Sequence, residues 1–305
     1  MTTNLCSTAG CLVVRLGAIG DTLLTLPALR ALRRRYRRVV MVGSAAASAL
    51  LGAVVDQVVE VEAPAAAALF RSDAGADHLF RAVVGPIEAA VVWLNRPREV
   101  AAALQRIGIR HLVTAPSVPA DRRHVVDHLL SSIGEPTGAI VELPVAPSDR
   151  ARAAALLRER GVRPDSVVLA LGAGSPSKRW PVDRFAALAA RLGRPAVALS
   201  GPAEGDAAAR LRQLRPDVPI LDNIELALLP AVLAHGAVVV ANDSGPAHLA
   251  AAVGTPVVVL FGPTDPAVWA PRGKRVVVLQ AGDGRLESLE VEAVSSAVTR
   301  LLAAR

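Results

Sequence analysis

Lysine is nearly missing from this chain: Lys178 and Lys274 are the two among 34 cationic side chains. Arginine supplies the rest, and 34 cations against 27 carboxylates leave a net charge of +7. With so much alanine alongside, this skew is a compositional habit and says little about nucleic acid. Aromatic residues make up only 3%, which argues against a base-stacking surface. Two cysteines, Cys6 and Cys11, are too few for a disulfide framework, and no second Cys or Cys/His cluster completes a zinc site. No uninterrupted apolar run reaches about 18 residues, so no membrane span is expected. The first ten residues lack a basic start and a long apolar stretch, so no signal peptide is expected. Collagen, coiled-coil, small secreted and integral-membrane classes are thereby excluded. What remains is globular: 52% hydrophobic and 20% charged residues over a length of 305. At about 150 residues per domain, that length suggests two domains.

The chain alternates strands and helices. Short apolar runs at Leu12–Leu16, Val39–Val42, Gln57–Val61, Ala89–Leu94 and His111–Thr114 are expected as strands. Between them, Thr22–Tyr36 (Leu23, Leu26, Leu29 and Leu32 recur every three, interrupted at Pro27), Ala45–Leu51 and Pro97–Ile107 are expected as helices. A stretch with Pro144 and Pro147 and little periodicity, Glu142–Asp149, is taken as the linker. Alternation then restarts. Strands are expected at Val167–Leu171, Ala196–Ser200, Ile220, Ala237–Ala241, Val257–Phe261 and Val276–Leu279. Helices are expected at Ser148–Arg160, Val182–Leu192, Ala207–Leu214, Leu226–Ala234, Ala247–Ala252 and Val291–Ala303. This order predicts α/β architecture: two Rossmann-like parallel-sheet domains, 1–147 and 148–305, facing a central cleft. Ligands of such sheets sit beyond the carboxyl ends of the strands.

Three strand-to-helix turns carry chemistry. The first is Val13-Val14-Arg15-Leu16-Gly17-Ala18-Ile19-Gly20-Asp21-Thr22. Gly17 and Gly20 permit a tight turn, but their spacing is not the dinucleotide fingerprint. Asp21 near the helix start is either an N-cap or a general base on the cleft wall. The second is Leu171-Gly172-Ala173-Gly174-Ser175-Pro176-Ser177-Lys178-Arg179-Trp180-Pro181. Small residues expose backbone N–H groups, Ser175 and Ser177 add hydroxyls, and Lys178 and Arg179 add charge, which suits a diphosphate. A Walker A order is absent. A lysine kept in an arginine-writing chain points to a site that wants a compact ammonium, with chance as the alternative. Trp180 is read as core. The third is Val238-Val239-Val240-Ala241-Asn242-Asp243-Ser244-Gly245-Pro246-Ala247-His248-Leu249. Asp243 and Ser244 either cap the helix or, with its N–H groups, form an anion site in which Asp243 accepts from sugar hydroxyls. His248, in the first helical turn, is either a satisfied core residue or part of that site. Phe261-Gly262-Pro263-Thr264-Asp265-Pro266 closes the next strand and is read as a turn.

Other features have plainer readings. His124 and His128 share a helical spacing but lack the glutamate of a zinc motif. No nucleophile elbow is present. The basic run Arg33–Arg38 is a solvated helix end, with an anionic membrane or acceptor as the alternative.

Together, the opening Val-Arg-Leu-Gly-Ala-Ile-Gly-Asp-Thr…Leu-Pro-Ala-Leu-Arg-Ala-Leu, the central Gly-Ala-Gly-Ser-Pro-Ser-Lys-Arg-Trp-Pro and the late Asn-Asp-Ser-Gly-Pro-Ala-His-Leu…Leu-Phe-Gly-Pro-Thr-Asp-Pro resemble glycosyltransferase family 9, the ADP-heptose heptosyltransferases. The resemblance implies a GT-B fold, with the acceptor bound by the N-terminal domain and the nucleotide sugar by the C-terminal one. It implies an inverting, metal-independent transfer without a cofactor, the donor being a substrate. Asp21 matches the family's catalytic aspartate, on a loop with Gly17 and Gly20 near the acceptor. Lys178, beside Ser175, matches the lysine that meets the donor diphosphate. Asp243, Ser244, Gly245 and His248 match the turn that holds phosphates and sugar. Glu204 matches the acid on the nucleotide ribose, and Ile224 an apolar residue against adenine.

The sequence departs from the pattern after the fourth strand. Val91-Val92-Trp93-Leu94-Asn95-Arg96 stands where an Asp-Leu-Gln-like segment is expected, so acceptor arginines do not transfer to this chain. The expected function is heptose transfer, with ADP-heptose as donor, onto a glycan or lipopolysaccharide-core-like acceptor. The alternatives are a secondary-metabolite or other small-molecule acceptor, another nucleotide sugar, a nucleotide-sugar epimerase of similar fold, or a binding protein without turnover. No nucleic-acid partner is expected. A cytoplasmic location is expected, and the positive charge is compatible with contact at an anionic inner membrane face.

Overall fold

The computed structural model describes residues 7–71 and 74–304, so Cys6 lies outside the described residues. The chain divides into two compact units, 1–139 and 140–305. The stretch Glu142–Asp149, expected as linker, lies within the second unit. Val141 N–H donates to the Arg272 carbonyl at 3.0 Å and Leu143 N–H to that of Ala252 at 2.8 Å.

The first unit runs β1 (Ser7–Arg15), α1 (Ile19–Arg35), β2 (Tyr36–Gly43), α2 (Ala45–Leu51), β3 (Gln57–Glu60), α3 (Ala74–Val84), β4 (Ile87–Trp93), α4 (Arg98–Arg106), β5 (His111–Ala115) and α5 (Val125–Ser132). Among the described residues, five parallel strands lie in the order β3-β2-β1-β4-β5. Leu12, Val14, Val40, Val42, Ala90 and Val92 from the strands meet Phe80, Val100 and Leu104 from the helices in one core. Helix α1 runs unbroken through Pro27, where the sequence suggests an interruption. A mid-helix proline costs about 3 kcal/mol. Around it Leu23, Leu24, Leu26, Leu29 and Leu32 are buried, each adding roughly 1.5–3 kcal/mol, so burial wins. Helix α3 and the 3₁₀ segment Pro64–Leu69 are not among the elements expected from the sequence. They form because Ala66, Ala68, Leu69, Phe80 and Val84 join the core.

The second unit runs α6 (Pro147–Glu159), β6 (Val167–Ala170), α7 (Val182–Arg191), β7 (Ala196–Ser200), α8 (Gly205–Leu214), β8 (Ile220–Asp222), α9 (Leu229–Ala234), β9 (Val238–Asn242), α10 (Gly245–Ala252), β10 (Val257–Phe261), α11 (Pro266–Trp269), β11 (Val276–Gln280) and α12 (Val291–Ala303). Its described residues form six strands, also parallel, in the order β11-β10-β9-β6-β7-β8. Strands β7, β9 and β10 are buried at every position, which is why they read as unbroken apolar runs. Trp180 is core, as expected from the sequence. It meets Phe185 edge-on at 4.9 Å between ring centroids, and its indole N–H donates to the Leu289 carbonyl at 3.0 Å. Among the described residues, no helix is long and apolar enough to cross a membrane.

Candidate functional site

Strand order marks one place in each sheet where the chain reverses its direction of winding. In the first unit it is the gap between β1 and β4; in the second it is the gap between β6 and β9. Loops leaving neighbouring strands at such a point part in opposite directions and open a crevice at the carboxyl edge. The first turn singled out in the sequence follows β1. The second and third follow β6 and β9.

In the second unit the two turns are joined. Lys178 Nζ donates to Asp243 Oδ2 at 2.9 Å, with side-chain exposures of 30% and 7%. Thr264 Oγ1, on the loop after β10, donates to the same oxygen at 2.7 Å. His248 Nε2 lies 4.0 Å from the other oxygen, Oδ1. Beneath them Asn242 is fully buried and holds the loops in register. Its Oδ1 accepts from Trp180 N–H at 2.9 Å, and its Nδ2 donates to the carbonyls of Leu171 and Gly172. Ser244 occupies the N-cap position of α10, but its hydroxyl turns back to the Asn242 carbonyl at 3.0 Å. The positive end of α10, beginning at half-buried Gly245, is thus left without a side-chain acceptor. Ser175 precedes the 3₁₀ turn Pro176–Lys178, its hydroxyl 3.1 Å from that of Ser177.

Glu204 sits behind this edge. Its Oε2 accepts from Gly201 N–H at 2.9 Å, and Oε1 lies 3.5 Å from Arg179 Nη2. Gly172 lies close to it: a Cβ there would stand 2.7 Å from the Glu204 carboxyl carbon, so the carboxylate would have to move. Arg179 is also tied to the Ala173 carbonyl, so this guanidinium serves the loop itself. Ile224 lies half-buried beyond β8, after Asn223, which adopts φ 51° and donates its N–H to the Ser200 carbonyl.

In the first unit, α1 starts at Ile19, three residues before the sequence suggests, and Ala18 holds the N-cap position. Asp21 therefore lies inside the first turn and is not the cap. Its Oδ2 accepts from Ala18 N–H at 3.1 Å and its Oδ1 from Arg15 Nη2 at 3.2 Å. The Asp21 side chain is 29% exposed. Gly17 adopts φ 154°, and a Cβ there would fall 2.4 Å from that of Asp21. Gly20 is a residue of α1 and is not among the glycines with positive φ.

Burial pulls the pKa of the Arg15 guanidinium down, and the Asp21 charge opposes that pull. Burial alone pushes the Cys11 thiol up to about 12. The basic run is engaged within its own unit. Arg33 pairs with Asp56, Arg34 and Arg35 pair with Glu135, and Arg38 donates to Gln57 and to the Val84 carbonyl. His124 caps α5, its Nδ1 accepting from Val126 N–H, and His128 Nε2 lies 2.8 Å from the Pro116 carbonyl. Among the described residues, no three His, Cys, Asp or Glu side chains are grouped to hold a metal.

Sequence reasoning missed Thr264, Asn242 and Arg15 as members of these sites. The turn residues around Thr264 and the polar end of β9 were visible, but their partners lie on other strands.

A family model described as glycosyltransferase family 9 (heptosyltransferase) matches residues 92–297. A lipopolysaccharide heptosyltransferase 3 of Escherichia coli is 34% identical over 137 residues, 42% of this chain and 40% of that protein. A lipooligosaccharide heptosyltransferase 2 of Haemophilus influenzae is 34% identical over 120 residues, 36% of this chain and 35% of that protein. These matches span less than half the length of the curated relatives. A solved glycosyl transferase family 9 structure from Veillonella parvula superposes with TM-score 0.79 at 20% identity, covering 98% of this chain and 99% of that one. The ADP-heptose LPS heptosyltransferase II of E. coli gives TM-score 0.77 at 18% identity, covering 97% and 99%. These likenesses identify the pair of parallel-sheet units as the GT-B fold. With two thirds of the chain under the family model, this protein belongs to glycosyltransferase family 9.

Proposed function

We propose that this chain is an inverting, metal-independent glycosyltransferase that moves a heptose from ADP-heptose onto the hydroxyl of a glycan or lipopolysaccharide-core-like acceptor. The observation that carries this reading is the joining of Lys178, Asp243 and Thr264 beside the open N-terminus of α10 at the β6/β9 reversal point. An ammonium and a helix N-terminus at one spot suit a diphosphate. The names of solved relatives, one an ADP-heptose heptosyltransferase and one holding ADP, support that donor.

In this reading the acceptor O–H gives its proton to an Asp21 carboxylate oxygen while the acceptor oxygen attacks the anomeric carbon. The bond from that carbon to the diphosphate oxygen breaks, its electron pair leaves with ADP, and the anomeric configuration inverts. Lys178 and the end of α10 stabilise the charge that builds on the departing diphosphate, together with Ser175 and Gly245. Asp243 has Oδ2 filled by Lys178 and Thr264, so Oδ1, near His248, is the oxygen that accepts from a sugar hydroxyl. Glu204 takes the ribose, and Ile224 lies against the base.

The test is ADP release from ADP-heptose, with and without a heptose-free lipopolysaccharide-core acceptor, and with EDTA added. Acceptor-dependent release that survives EDTA supports the proposal. An altered sugar nucleotide formed without acceptor would instead indicate epimerisation. Loss of release on adding EDTA would refute metal independence.

A further inference from the structure

Arg15 ends β1 with its side chain 1% exposed, one of the largest fully buried side chains of the protein. The guanidinium donates to the Ser117 carbonyl, beyond β5, at 2.8 Å and to Asp21 Oδ1 at 3.2 Å. Its Nε is buried with no hydrogen-bond partner among the described residues. Packing does not call for such a residue. An apolar side chain of similar volume serves a core as well as a buried ion pair does, or better. Arg15 is therefore to be explained by what it does to Asp21.

We propose that Arg15 is the positioning residue for the Asp21 carboxylate in sugar transfer; this rests on the transferase reading above. Each carboxylate oxygen of Asp21 receives one donor, Arg15 Nη2 on Oδ1 and Ala18 N–H on Oδ2. Two fixed points set both the position and the plane of the carboxyl group. Each oxygen keeps one lone pair uncommitted, and the group is part-exposed, so a substrate hydroxyl can reach it. A base held this way needs no reorganisation when the substrate arrives.

The experiment is a double-mutant cycle in the ADP-release assay, using Arg15→Met, Asp21→Asn and the pair, with ADP affinity read by calorimetric titration. Arg15→Met is expected to lower kcat at least about tenfold with ADP affinity unchanged. In the Asp21→Asn background the same change is expected to cost less than about threefold, because the two residues act as a unit. Arg15→Lys, which keeps the charge but not the planar fork, is expected to recover part of the loss. Should Arg15→Met fail to fold, Arg15→Gln gives the same readings with a polar, uncharged side chain. Full multiplication of the two single effects, or an Arg15→Met enzyme as fast as wild type, overturns the positioning role. A fully active Asp21→Asn enzyme would overturn the reading beneath it and is recognised separately, from that single variant.

Discussion

Lys178 Nζ rests 2.9 Å from Asp243 Oδ2, although the two residues sit on loops leaving different strands, β6 and β9. The pair spans the point where the second sheet reverses its winding. Replacing Lys178 by alanine is expected to weaken ADP binding about 10- to 100-fold. That corresponds to the roughly 1.5–3 kcal/mol of a charge-assisted hydrogen bond. Lys178→Arg is expected to recover little, since a planar fork does not fit a point-charge site. Calorimetric titration with ADP checks both, and an unchanged affinity in Lys178→Ala would remove the lysine from the site.

Thr264 supports the same carboxylate from a third loop. Thr264→Val removes one donor and keeps the shape. The expected cost is about 1 kcal/mol, seen as a several-fold weaker ADP affinity with little change in melting temperature. A fall in stability with ADP affinity intact would make Thr264 a loop fastener only.

Gly17 makes room for Asp21. Alanine there would have to keep a φ of 154° and place its Cβ 2.4 Å from that of Asp21, so the turn or the carboxylate must shift. Gly17→Ala is expected to lose about 1–3 kcal/mol of stability and to lower turnover along with it. Urea unfolding and the transfer assay give the two readings. A variant equal to wild type in both would show that the turn tolerates a side chain.

Cys11 offers a test by pH. The folded thiol titrates at about 12 and the free thiol at 9.0. Above the lower value the unfolded chain sheds a proton that the folded chain keeps, so stability falls as pH rises. The slope is about 1.4 kcal/mol per pH unit between these two values. Comparing wild type with Cys11→Ala across that window isolates the group. A difference that stays flat with pH would mean the thiol is not held dry.

Much of this architecture was legible in the sequence because central strands such as β7, β9 and β10 are buried on both faces. Val257–Phe261 and Ala196–Ser200 stand where their apolar runs put them, and Val291–Ala303 forms the closing helix. Asp243 and Lys178 were legible as residue types at strand ends. That they share a carboxylate oxygen was not, because adjacency of β6 and β9 comes from strand order, which no local pattern carries. Arg15 read only as a residue of the first strand for the same reason: its partner Ser117 follows β5. The start of α1 was misplaced because Ala18 is an N-cap without a capping side chain, whereas Asp21, the residue that looks like a cap, bonds back from inside the helix.

The most direct measurement is the turnover of Asp21→Asn beside its ADP affinity. Acceptor-dependent release is expected to fall about 10²–10⁴-fold while ADP binds as tightly as to wild type. Asn at this position with undiminished release would contradict the assignment of the proton acceptor, and with it the proposed transfer chemistry.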